Sequence, residues 1–208
     1  MNAHTEPLTL QGAAGAIEAL RDTAAHPRGV AVIAHPHPLH EGTMHNKVVQ
    51  TLARAFVQCG WTAVRFNFRG VGASEGVHDG GRAEAQDMLE VLRQVAPQGP
   101  IALAGFSFGA YVTTHALASL WPERPPEQVV LVGTATSRFT VAPLPTEAHA
   151  RSLVIHGEND GTVPLSTVMD WARPQILPVT VVPQVGHFFH GQLPLLKTLV
   201  VRHLQSAS

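Results

Sequence analysis

Short runs of β-branched and small apolar residues alternate along this chain with segments whose apolar residues recur every three or four positions. That alternation restricts the fold more than any other feature. The runs fall at 29–34, 61–66, 100–106, 128–133, 151–156 and 179–182. Between the first two, residues 45–59 carry Val48, Leu52, Ala55, Phe56 and Cys59 at helical spacing, and Gly60 supplies the stop. Residues 83–95 repeat the pattern with Met88, Val91, Leu92 and Val95 before Pro97. Strands that are apolar at nearly every position have no face to give to water, so the reading is a mainly parallel sheet with helices on both faces. Residues 8–17 add one or two leading antiparallel strands. With 208 residues, 45% of them hydrophobic, the chain can bury a full core, and a single domain over 1–208 is expected.

At the end of the 100–106 run stands Gly105-Phe106-Ser107-Phe108-Gly109, a G-x-S-x-G pentapeptide leading into a helix that begins near Phe108. A serine on so sharp a strand-to-helix turn is crowded by residues two positions away on either side, and glycines there remove the clash. The following helix aims its free backbone N–H groups and positive dipole end at the hydroxyl, where an oxyanion would develop.

Such a nucleophile needs an acid and a base, which in this arrangement follow it in the order Ser, Asp or Glu, His, on loops after later strands. The polar turn after the 151–156 run contains Asp160, the candidate acid, with Glu158 as a neighbouring rival. The loop after the 179–182 run contains His187, the candidate base, with His190 three residues on.

In these blocks, together with His35-Pro36-His37-Pro38 and the stretch from Phe66 to Gly76 around Asn67 and Arg69, the chain resembles the α/β-hydrolases, and among them the small, cap-less bacterial hydrolases near the dienelactone hydrolases. The resemblance covers nearly the whole chain. It implies an α/β-hydrolase fold with a minimal or absent cap, since residues 134–150, with Pro143 and Pro145, read as a loop. The implied chemistry is a serine hydrolase acting on esters or thioesters of small, accessible acyl groups through Ser107, Asp160 and His187. An amidase or peptidase, a dienelactone hydrolase, an acyltransferase and a non-catalytic ligand-binding relative share the pattern. For the oxyanion hole, the resemblance points to the backbone N–H of Phe108 and one donor after the first inner strand. Relatives carry a His-Gly pair there, but this chain has Pro36, and proline has no N–H to give. His37 is the expected donor, with Leu39 as substitute. The Phe66 to Gly76 stretch is expected to serve as scaffold near the rim of the site; its glycine spacing fits no phosphate-binding loop.

Thirteen histidines, four of them at His35, His37, His40 and His45, invite a metal reading, but the spacing matches no structural zinc pattern, so neither metal nor cofactor is expected. A net charge of −1 gives no electrostatic reason to bind nucleic acid or an anionic membrane, and a small acyl substrate is the expected partner. The one cysteine, Cys59, reads as a packed thiol. Lacking a secretory pattern at the start and any long apolar run, the sequence leads to a cytoplasmic protein as the expectation.

Overall fold

The computed structural model describes residues 5–206. Its centre is an eight-stranded sheet in the order β1-β2-β4-β3-β5-β6-β7-β8. Strands β1 (Thr5–Gly12) and β2 (Gly15–Asp22) form an antiparallel hairpin, and β2 pairs antiparallel with β4 (Trp61–Phe66). From β4 onward the ladder is parallel, through β3 (Gly29–Ala34), β5 (Ile101–Phe106), β6 (Gln128–Val132), β7 (Ser152–Gly157) and β8 (Val179–Val182). Every inner run expected from the sequence is a strand, with its bounds moved by a residue at most. The leading strands reach further than the expected 8–17, because the hairpin turns tightly at Ala13-Ala14 and each arm continues for eight residues.

Alternate residues of each inner strand enter two separate cores. Val32 and Ala34 of β3 and Ile101 and Leu103 of β5 face one side, where they meet α2 (Arg82–Val95), α3 (Phe108–Leu120) and α4 (Leu165–Ala172). Ala31, Ile33, Ala102, Ala104 and Phe106 face the other, against α1 (Lys47–Gln58) and α5 (Leu193–Ser206). This is the doubly covered sheet that the unbroken apolar runs require. Helix α1 starts on the Asn46 side chain, which accepts the Val48 N–H at 2.9 Å, and ends before Gly60, whose φ of 80° suits glycine. The half-buried Cys59 lies between α1 and α5, where burial pushes its thiol up.

Helices α4 and α5 are additions to the sequence reading. In α5 the buried residues Leu196, Val200 and Leu204 fall four apart, the period that marks it. Between β6 and β7 the chain forms loop and one short 3₁₀ helix, Thr146–Arg151, with no cap helix.

Strand order reverses at β3, since the chain passes from β3 to β4 on one side and returns to place β5 on the other. A crevice opens at the carboxyl ends of strands at such a reversal. The loops following β3 and β5 flank it, and these carry His37 and Ser107.

Candidate active site

Ser107 occupies the single residue between β5 and α3, at φ 57° and ψ −117°, a conformation that costs a non-glycine residue roughly 1–3 kcal/mol. The two glycines permit it by close approach. A methyl group on Gly105 would run into the carbonyl of Gly109, and one on Gly109 would strike the carbonyls of Ala34 and His35. The serine N–H is anchored to the Val132 carbonyl at 2.8 Å, and its own carbonyl accepts from Ala110 and Tyr111 in the first turn of α3. The strained turn is thus held from both sides while the hydroxyl points out of the sheet end.

His187 meets that hydroxyl. Its Nε2 lies 2.9 Å from Ser107 Oγ, and its Nδ1 lies 2.6 Å from Asp160 Oδ2. All three side chains are largely buried. With Asp160 ionised, Nδ1–H donates to the carboxylate and Nε2 is left as acceptor for the serine O–H. The ring packs on Phe106 at 4.9 Å and against Phe188 at 5.1 Å. Gly133, at the end of β6, makes room for it: a β-carbon there would stand 3.1 Å from Cε1.

Asp160 is tied down on its other oxygen as well. Oδ1 accepts the N–H groups of Thr162 at 2.9 Å and Val163 at 2.7 Å. The turn-stabilising role and the pairing with His187 therefore coexist in one carboxylate. Burial pushes its pKa up, but the hydrogen bonds from His187 and from Val163 N–H outweigh that and hold it below the usual aspartate value. The rivals stand apart from this chain of contacts. Glu158 is exposed and accepts the Gln184 N–H at 2.9 Å, while His190 is exposed and touches Phe188.

One neighbour escapes the sequence reading. His156, fully buried at the end of β7, donates from Nε2 to the Val163 carbonyl at 2.9 Å and lies 3.4 Å from Asp160 Oδ2. It steadies the Asp160 turn, and its only signal in sequence is its spacing four residues before the acid.

The loop after β3 presents His37 beside the serine. It precedes the 3₁₀ helix Pro38–His40, and its carbonyl accepts from His40 and Gly42. Neither the His37 N–H nor that of Phe108, the first residue of α3, donates to an acceptor among the described residues. The alternative, Leu39, has its N–H committed to His37 Nδ1 at 3.2 Å. Burial, followed by the nearby charges of His78, His40 and Arg138, pushes His37 down to about 4, so its side chain is neutral at pH 7.

His35 is structural. Its Nε2 accepts the Phe68 N–H at 3.0 Å, so Nδ1 carries the proton and donates to the Pro36 carbonyl at 2.6 Å. Full burial pushes it down to about 4. A histidine with a lowered folded-state pKa adds stability that is present above the unfolded value near 6.5 and lost as pH falls from there to about 4. The loss amounts to about 3 kcal/mol. Urea unfolding of His35→Gln should therefore show a smaller drop between pH 7 and pH 4 than the wild type by about that amount; equal drops would remove this role. The His40 ring packs edge-on against His37 at 4.9 Å, and among the described residues no three His, Cys, Asp or Glu side chains converge to hold a metal ion.

The Phe66 to Gly76 stretch is scaffold in the structure. Asn67 accepts the Met44 N–H and donates to Glu18, and Arg69 forms a two-pronged pair with Asp87 at 2.7 and 2.8 Å. Above Ser107 lies a pocket of about 250 Å³, into which His37, Phe108, Arg138, Phe139, Val163 and Phe188 also reach.

A doubly covered sheet whose order reverses under a serine-bearing strand-to-helix turn defines an α/β hydrolase. The relatives agree. Residues 25–154 match the family model described as "Serine aminopeptidase, S33". The crystal structure of a Xanthomonas campestris protein, described as an α/β serine hydrolase without lid, superposes with a TM-score of 0.87 at 34% identity, covering 99% of this chain and 96% of that one. An α/β serine hydrolase homologue from Coxiella burnetii gives 0.79 at 36% identity, covering 96% and 97%. A curated relative, an uncharacterized protein of Rickettsia prowazekii, is 42% identical over 106 residues, which make up 49% of this chain and 44% of that protein; the chain matches less than half of that relative's length. This chain belongs to the α/β-hydrolase superfamily, in the family that the matching model describes, and it has the lid-less form of the fold. No helix among the described residues is long and apolar enough to cross a membrane.

Proposed function

We propose that this protein hydrolyses carboxylic esters or thioesters of short acyl groups through a Ser107 acyl-enzyme. The observation that carries the proposal is the unbroken contact from Ser107 Oγ through His187 to Asp160, set at the mouth of the pocket. Neutral His187 takes the hydroxyl proton as Oγ attacks the acyl carbonyl, and Asp160 holds the imidazole tautomer and stabilises the imidazolium that forms. The tetrahedral oxyanion is received by the N–H groups of Phe108 and His37. Collapse expels the alcohol or thiol with the proton returned from His187, and water then enters by the same general-base route.

The family description raises an aminopeptidase as the competing reading. Peptidases that act on a free N-terminus need an anion to hold the substrate ammonium, and among the described residues no aspartate or glutamate lines the pocket. A pocket of about 250 Å³ beneath no lid also suits small acyl groups in preference to long ones.

A panel of p-nitrophenyl esters graded by chain length, with a thioester and an aminoacyl amide, tests the reading. Acetate to hexanoate esters should be turned over and the amide should not. Preference for the amide, or for acyl chains beyond about ten carbons, would overturn it.

A further inference from the structure

The pocket over Ser107 is lopsided in its chemistry. Phe108, Phe139 and Val163 give it apolar walls, and Phe139 is fixed by stacking on Tyr111 at 4.7 Å with an interplanar angle of 17°. Among the described residues the permanently charged side chain that lines it is Arg138, and no carboxylate does. Arg138 stands on the loop after β6, and its guanidinium makes no hydrogen bond or ion pair among the described residues. Elsewhere Arg21, Arg65 and Arg69 each hold a carboxylate. The charge of Arg138 is felt inside the pocket, for it helps to keep the neighbouring His37 imidazole unprotonated. A guanidinium beside an apolar slot, with no internal counter-ion, is a fork that matches a planar carboxylate.

We infer that Arg138 receives a carboxylate on the substrate, so that the preferred substrates are short esters carrying a free carboxylate. The inference rests on the ester-hydrolase reading of Ser107. The apolar walls then pack the few methylenes separating the scissile carbonyl from the anion, and the pocket volume limits them to a small number. The carboxylate can belong to the acyl group or to the alcohol, and the two cases are separable.

For the acyl side, monoethyl glutarate is compared with ethyl 5-methylhexanoate, in which an isopropyl group takes the place of the carboxylate. For the alcohol side, carboxymethyl butyrate is compared with isobutyl butyrate. Acid release followed at constant pH gives kcat/KM for all four. In at least one pair the anionic ester should be favoured about fivefold, the upper range for an exposed ion pair, and the preference should shrink in 0.5 M NaCl. Arg138→Gln should bring the ratio close to one, Arg138→Lys should keep part of it, and Arg138→Glu should invert it. Neutral esters matching or exceeding their anionic partners in both pairs, or a ratio unmoved in Arg138→Gln, overturns the inference and leaves the ester-hydrolase reading standing. If the wild type cleaves none of the four and a fluorophosphonate fails to label Ser107, that reading falls and this one with it.

Discussion

Ser107→Ala will lower kcat for a short ester by about 10⁴- to 10⁶-fold and will abolish labelling by a fluorophosphonate, while its unfolding transition stays within about 1 kcal/mol of the wild type. The size of the kinetic loss follows from the position of Oγ, 2.9 Å from His187 Nε2. The small stability change follows because the backbone anchors of the turn, Ser107 N–H to Val132 and its carbonyl to α3, do not involve the side chain. Ser107→Gly is the more telling companion. It is expected to be equally inactive yet about 1 kcal/mol more stable than Ser107→Ala, since only glycine adopts φ 57° without strain. A Ser107→Gly protein less stable than Ser107→Ala would mean that the turn stores no strain, and retained turnover in Ser107→Ala would remove the serine from the chemistry.

The legible parts of this molecule were those in which a local pattern answers to a local cause. Runs such as Gly29–Ala34 and Ile101–Phe106 are apolar on both faces, and only a doubly covered strand wants that. Gly105 and Gly109 mark in the sequence the close backbone approach that the turn makes. The acid and the base were readable because each follows a recognisable strand, which made position along the chain a proxy for position at one end of the sheet. What sequence hides is the meeting of distant side chains. Nothing in the residues near His156 says that its imidazole will touch the Val163 carbonyl and approach Asp160, and nothing around Arg138 says that it faces the serine across a loop. The 134–150 loop could be named as a pocket wall from its place between β6 and β7. Which of its side chains points inward depends on the turns it takes, and those are set by contacts such as Phe139 on Tyr111 that no spacing rule encodes.

Asp160→Asn will cost about 10⁴ in kcat, nearly as much as losing the nucleophile, although the substitution is close to isosteric. The reason lies in the two backbone donors that Asp160 already serves. Thr162 and Val163 N–H both point at Oδ1, so the asparagine carbonyl oxygen must take that place, and its NH₂ group is left facing His187 Nδ1. Two donors cannot share that contact. His187 is forced to carry its proton on Nε2, where it can only donate toward Ser107 Oγ and no longer accept the serine proton. The NH₂ group also confronts Nε2–H of His156, 3.4 Å from the replaced oxygen, so a modest loss of stability accompanies the kinetic one. Fluorophosphonate labelling should slow by a comparable factor but remain measurable, which distinguishes a misdirected base from an absent nucleophile. Glu158→Gln, altering a surface contact with Gln184 N–H, should leave kcat within about twofold, as surface changes away from the reacting groups do. If Glu158→Gln proves the crippled variant and Asp160→Asn the active one, the acid has been assigned to the wrong side of its turn.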